Sequence, residues 1–540
     1  MSRKSFMKGA VILGTAGIIV KILGAFFRIP LANIIGDTGM GYYQTAYPVY
    51  VLLLAISTAG IPTAIARIVS EKTAEGTHRE AYRVFRLSFG LLAVIGLCTS
   101  LILFIGAPFF AGFSSDRAIY AIRAISPALL LISMMASFRG YFQGLQDMTP
   151  TAVSQIVEQL FRVVTGLTLA VILVPYGLPY AAAGASFGAA AGGFFGLAVI
   201  VVLYLRRRKD ILSTVRHTSS DYLEESSSSI MKRIVLIAIP ITVGVSVMPV
   251  MSTIDLLVVP SRLVSAGFSA EEANSLYGQL SGFAASLINL PQVLTQSIAL
   301  SLVPAIAAAY QTDDREALRH ETETGLRMAM VIGLPCAAGL FALAKPVMLL
   351  LYPMQKSSAS NAAESLAVLA LGVIFLSSTQ TLTGILQGVS RQMIPVRNLA
   401  IGALVKIGIT FVLVSFPELN VKGAAAGTAC AYLTASVLNM RAVRQYTGAR
   451  FDYSLTYLRP GAAAVLMGAA SWLICKGLAP ITGNTAASGI AVLMGVFLYI
   501  VMILVFHAVT EEELQRISKG GKLIKMINKV KKRLNDVSSL

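Results

Sequence analysis

Charge is what this sequence has least of. Only 13% of its 540 residues are Asp, Glu, Lys or Arg, against 56% hydrophobic, and the mean hydropathy is +0.73. That balance excludes a soluble globular protein and implies a chain that crosses a membrane many times. Acid is scarcer than base: 26 Asp and Glu face 44 Lys and Arg, a formal charge of +18. In a soluble protein such an excess points to nucleic acid. Here the basic residues flank apolar segments, so membrane orientation and anionic lipid account for them, and no nucleic-acid partner is expected. Cysteine is limited to Cys98, Cys336, Cys430 and Cys475, scattered through apolar segments. They have neither disulfide nor metal-ligand spacing. The four histidines are equally scattered. With one tryptophan, the 19 tyrosines are left to anchor the chain at the membrane interfaces. No phosphate-binding glycine loop occurs, so direct ATP coupling finds no support. Asp313 and Asp314 lie in DDREALRHETE, a charged turn without a second acidic motif. Neither an enzyme nor a resident cofactor is expected.

What is present is a series of about fourteen apolar segments long enough to span. The first covers 7–35, the second 42–69, the seventh 231–259, the eighth 273–309, the eleventh 395–416, and the last two 458–477 and 485–508. Their connections alternate in charge. One set carries Lys72, Arg79 and Arg83, then Arg206 to Lys209, Arg315 and Arg319, Arg391 and Arg397, and Arg441, Arg444 and Arg450. The other set, GDTGMG at 36–41, VPYGLPY at 174–180 and APITGNTAAS at 479–488, is nearly bare. By the positive-inside rule the first set is cytoplasmic, and an even helix count puts both termini there too. The N-terminus is basic at Arg3, Lys4 and Lys8, but Lys21 interrupts the apolar run behind it. It reads as a retained first span rather than a cleaved signal.

The sequence repeats itself. GIPTAIAR with Pro62 resembles LVPAIAAA with Pro304, an offset of 242. FRGYFQGLQ resembles LTGILQGVS at an offset of 244, which also matches Arg162 to Lys406. AAAG at 181–184 recurs at 424–427. The repeat predicts two six-helix lobes, 1–205 and 234–440, related by a pseudo-twofold axis along the membrane normal. A polar cytoplasmic linker at 206–233 joins them, and two helices at 441–508 lie outside the repeat. Gly184, Gly188, Gly192 and Gly196 form a small-residue stripe for close helix packing. The tail, 509–540, puts Leu523, Ile524, Ile527, Val530 and Leu534 on one face amid lysines, an amphipathic helix suited to anionic membrane lipid.

Ionisable residues inside spans are functional candidates, because a charge at the bilayer centre costs roughly 2.5–3.5 kcal/mol on insertion scales. Lys21 and Arg28, seven residues apart, share one face of the first span and suggest a cavity that receives an anion. Snorkelling to an interface is the alternative, more so for Arg28 near a segment end. Glu158 and Arg162 stand at i, i+4 in the fifth span and either serve a substrate site or neutralise each other. Arg139 lies near the end of the fourth span, where snorkelling would serve it. Asp255 lies in the seventh span and Lys406 near the middle of the eleventh. Prolines at 62, 240, 249, 291 and 304 punctuate the second, seventh and eighth spans and suit helices that bend.

YGQLSGFAASLINLPQVLTQSIALSLVPAIAAAY (277–310), KILGAFFRIPLANIIG (21–36) and LQGVSRQMIPVRN (386–398) resemble the MOP flippase superfamily, in its MurJ/MviN and SpoVB-like branches. The resemblance covers essentially the whole chain. It implies an all-α bundle of fourteen transmembrane helices, two six-helix lobes about a central cavity, and a lipid groove involving the last two. It implies alternating access that carries a lipid-linked sugar diphosphate, typically lipid II on an undecaprenyl carrier, to the outer leaflet, by a protein acting as a monomer. Lys21 and Arg28 match the family's first-helix cations. A family arginine in the second helix has no counterpart in the apolar VLLLAIS (51–57). Some members bind sodium through helices seven, eleven and twelve. Asp255 matches the helix-seven position, but the eleventh helix offers Lys406. The family fold sets those helices side by side, so Asp255 and Lys406 are expected to pair or to serve coupling. The alternative within the superfamily is a MATE-type cation-coupled exporter. That reading needs an acidic cavity, and the intramembrane charges here are mostly basic.

Overall fold

A computed structural model of the chain describes residues 3–216 and 225–509. It is all helix. Eleven helical stretches among the described residues are long and apolar enough to cross a membrane. Two of these, Ile12–Ala74 and Ser454–Val505, are double. At Gly36 (φ 65°, ψ −171°) and Gly483 (φ 78°, ψ 162°) the backbone enters a region that only glycine adopts without strain, and the helix reverses. Ring contact between Phe27 and Tyr43, 6.1 Å apart at the centroids, shows the first reversal. Cys475 Sγ and Ser488 Oγ, 3.9 Å apart, show the second. Asn420–Thr447, with 28 residues, is a further helix of spanning length, its apolar character diluted by Lys422 and by small residues. Counting the doubled stretches twice, the described residues hold fourteen helices of spanning length.

The polar stretch 206–233 is largely helical where described. Leu178–Arg216 runs on through its arginines, and Ser227–Ser265 starts under the cap of Ser226, whose Oγ accepts from the Ser229 N–H at 3.2 Å. A separate short helix, Ala344–Leu351, precedes Lys356–Gly388. Asp314 caps Arg315–Ala342 by accepting from the Ala317 N–H at 3.0 Å, so the acidic pair there has a structural role. Prolines 240, 249 and 260 lie inside one continuous helix, and the second span breaks instead at Gly60, just before Pro62. Gln279–Ala284 is a π-helical turn at the start of the eighth span. The amphipathic tail lies beyond residue 509, outside the described residues.

The chain packs into two compact units: Met1–Ser286 with Tyr352–Ala362 and Ala403–Gly427, and Leu287–Leu351 with Ala363–Gly402 and Thr428–Leu540. In the first, the glycine stripe of Leu178–Arg216 lies against Thr149–Leu173. A side chain at Gly188 would meet the Arg162 carbonyl oxygen at 2.6 Å, and one at Gly192 would strike that of Glu158. Only hydrogen fits there, and this fixes the height and rotation of the helix that carries Glu158 and Arg162. In the second, Leu302, Ile306, Leu326, Met330, Leu382 and Ile385 form the core. Gly384 and Gly388 press on Ala299 and Ile306 there, as Gly140 and Gly144 press on Ile65 and Val69 in the first unit. The repeated glycines of the sequence thus do the same packing twice.

Candidate functional site: a cationic cluster and a buried ion pair

The reversal at Gly36 folds the first span back along the second. Arg28 therefore faces Tyr47, its guanidinium carbon 5.2 Å from the ring centroid. Arg162 reaches the same ring from the fifth span, at 5.8 Å, and stands 5.7 Å from the centroid of Tyr50. Its N–H donates to the Tyr50 hydroxyl at 3.3 Å. Tyr43, Tyr47 and Tyr50 follow the i, i+4, i+7 rule of one helical face, with centroids 5.6 and 6.0 Å apart. Cation–π contact is worth about 0.5–2 kcal/mol and leaves the charge uncancelled. Lys21 lies two turns before Arg28 on the same helix and is exposed.

Glu158 is bonded to Arg139 rather than to Arg162. Its Oε2 accepts from Arg139 at 2.9 Å, and the Arg139 Nε–H donates to Ser154 Oγ at 2.9 Å. Arg139 and Glu158 are 13% and 17% exposed, so Arg139 turns inward rather than snorkelling. The one-turn spacing of Glu158 and Arg162 suggested a pair, but a third residue from the fourth span takes the carboxylate. Among the described residues no carboxylate is bonded to Arg28 or Arg162. Sequence reasoning missed Tyr47, Tyr50 and the Arg139 partnership. The spacing of the tyrosines was the available signal. The second helix, which lacks the arginine that the resemblance implies, brings an aromatic face instead.

A second cluster lies between Ser227–Ser265 and Met393–Leu413. Lys406 Nζ donates to Asp255 Oδ2 at 2.6 Å and to the Met251 carbonyl at 3.2 Å. The Lys406 side chain is only 3% exposed. Asp255 Oδ1 is buried and accepts no hydrogen bond. These residues do not fit a sodium ion. An ammonium already holds the carboxylate oxygen and the carbonyl that a cation would require.

The chain matches the family described as "Polysaccharide biosynthesis protein" over residues 6–310, and the MatE family over 281–412. It belongs to the polysaccharide biosynthesis protein family. Among Bacillus subtilis (strain 168) proteins it is similar to stage V sporulation protein B, 28% identical, covering 97% of this chain and 100% of that one. It is also similar to the lipid II flippase MurJ, 27% identical, covering 85% and 86%. A solved structure of a lipid II flippase MurJ, in an inward closed conformation, superposes with a TM-score of 0.68 at 15% identity, over 92% of this chain and 99% of that one. The chain is a multi-pass membrane protein of that family, with the fold of the MOP transporters.

Proposed function

We propose that this protein moves a lipid-linked sugar diphosphate of the lipid II class from the inner to the outer leaflet, with Arg28 and Arg162 receiving the diphosphate. The observation that carries this reading is the sharing of one ring, Tyr47, by two guanidinium groups to which no carboxylate among the described residues is bonded. Two forks with free N–H groups suit a diphosphate, whose many oxygens accept bidentate hydrogen bonds. Lys21, on the same helix face, adds a third cation for a headgroup longer than the diphosphate. Glu158 contributes by engaging Arg139, which leaves Arg162 to the substrate. Similarity to a protein named lipid II flippase supports the substrate class.

Asp255 and Lys406 serve the movement rather than the substrate. Their pairing neutralises both charges, with the ammonium of Lys406 standing where a cation would, so transport runs without sodium at this position. Both termini and the 206–233 stretch face the cytoplasm in this reading, and the undecaprenyl-linked substrate is handled by a monomer. The experiment is complementation of a strain depleted of its lipid II flippase. Arg28→Ala and Arg162→Ala should each abolish rescue at normal membrane levels, and Lys21→Ala should weaken it. Full rescue by the Arg28→Ala, Arg162→Ala double variant would falsify the assignment. For orientation, an impermeant thiol reagent added to intact cells should label Thr482→Cys and leave Ser227→Cys untouched. The opposite pattern would reverse the topology.

A further inference from the structure

In the second unit, the helix Asn420–Thr447, from Thr428 on, carries a face that changes character along its length. Leu433, Val437, Met440, Arg441 and Arg444 follow one another at helical spacing, apolar first and cationic last. They line a cavity of about 310 Å³. Ile374 and Phe375 of Lys356–Gly388 add apolar wall, and Ser378 and Ser436 meet at its edge, 2.8 Å between hydroxyls. Tyr453 and Tyr457, with centroids 6.2 Å apart, close the cationic end. Arg444 lies over the Tyr453 ring, 5.4 Å from its centroid, and its N–H donates to the Tyr453 hydroxyl. The nearby acid, Asp452, is engaged elsewhere, since its Oδ1 accepts from the backbone N–H groups of Ser454 and Leu455. Among the described residues no carboxylate is bonded to Arg441 or Arg444.

An apolar slot that ends in two arginines and the Tyr453 hydroxyl is complementary to a molecule with an acyl chain and an anionic phosphate. Leu433 and Val437, exposed at 40% and 43%, leave the apolar part open from the side, as entry from a bilayer requires. We infer that this cavity is a binding site for one anionic phospholipid of the surrounding leaflet, its phosphate on Arg441 and Arg444 and the start of an acyl chain along Leu433 and Val437. The site lies within the second unit and uses none of the residues assigned to the transported substrate. It anchors the end of the twelfth span and the start of the thirteenth to the membrane surface.

The test is native mass spectrometry of the full-length protein, purified in detergent and titrated with phosphatidylglycerol or phosphatidylcholine of matched chains. The wild-type protein should retain one phosphatidylglycerol about tenfold more tightly than phosphatidylcholine, the scale expected for two arginines at an anionic surface. Arg441→Gln with Arg444→Gln should remove that preference. Arg315→Gln with Arg319→Gln, an equal loss of charge elsewhere, should preserve it. Val437→Trp replaces an exposed side chain, so folding is not at stake, and it should block the slot and weaken both lipids. Equal retention of the two lipids by the wild-type protein would overturn the proposal, as would tight retention unchanged in Val437→Trp. Because the readout is lipid binding and not flipping, its failure leaves the transport reading standing.

Discussion

Arg162 and Lys406 match one another at the offset of the sequence repeat, yet they are treated in opposite ways. Lys406 is buried and held by Asp255 at 2.6 Å. Arg162 lies against aromatic faces and donates to a tyrosine hydroxyl, while the carboxylate one turn before it is bonded to Arg139. Partner choice decides what each cation can do. A cation paired inside the membrane with a carboxylate has no capacity left for an anion. A cation resting on π-faces is positioned and still charged. Of two cations that match in the sequence, one is thus closed by an acid and the other kept open.

The sharpest way to break the contrast is to remove the acid. Asp255→Ala should strand Lys406 and cost about 3–5 kcal/mol of stability, read as unfolding in detergent, whereas Asp255→Ala with Lys406→Met should recover most of it. Asp255→Lys and Lys406→Asp should each impair transport and the double exchange should partly restore it. Harmless single exchanges would dissolve the pairing model. Next in size, Arg162→Ala should slow flipping in reconstituted vesicles by about 10–100-fold, the scale of a lost charge-assisted bond to phosphate, without lowering stability as Asp255→Ala does. A smaller effect comes from making Arg162 resemble Lys406. Arg139→Gln frees Glu158, which can then turn one helical turn to Arg162, and flipping should fall about tenfold as the pair forms. Adding Glu158→Gln should restore the rate, and no restoration would mean that Arg139 acts by some other route. The mildest test concerns the ring. Tyr47→Leu should reduce the rate about fivefold and Tyr47→Phe by less, since Phe keeps the π-face under both guanidinium groups and loses only the hydroxyl that meets Arg28.

The sequence made the helices legible because long apolar runs and alternating loop charge are written in composition. Lys21, Arg28, Asp255 and Lys406 stood out because a charge in such a run is costly wherever it lies. Partners were legible only where the alternatives were few. For Lys406 the resemblance offered one acid, Asp255. Glu158 had a cation at i+4 and another, Arg139, 19 residues earlier in a different helix, and local spacing favoured the wrong one. What decided between them was the rotation of the fifth span, set by Gly188 and Gly192 of its neighbour. No window of sequence contains that rotation. The tyrosine face escaped notice for a similar reason: Tyr47 gains meaning only when Gly36 returns the chain upon itself.

That return has a consequence for insertion and deletion. An ordinary loop absorbs an extra residue cheaply, because closure entropy rises slowly with length. The turn at Gly36 has no such slack, since helix continues on both sides of it. One residue inserted within 37–46 would rotate everything after it by about 100°, at 3.6 residues per turn. Tyr47 and Tyr50 would swing away from Arg28 and Arg162 together. The length of this segment is therefore a register mark for the anion site, and a one-codon insertion there should silence the protein with every cation left in place.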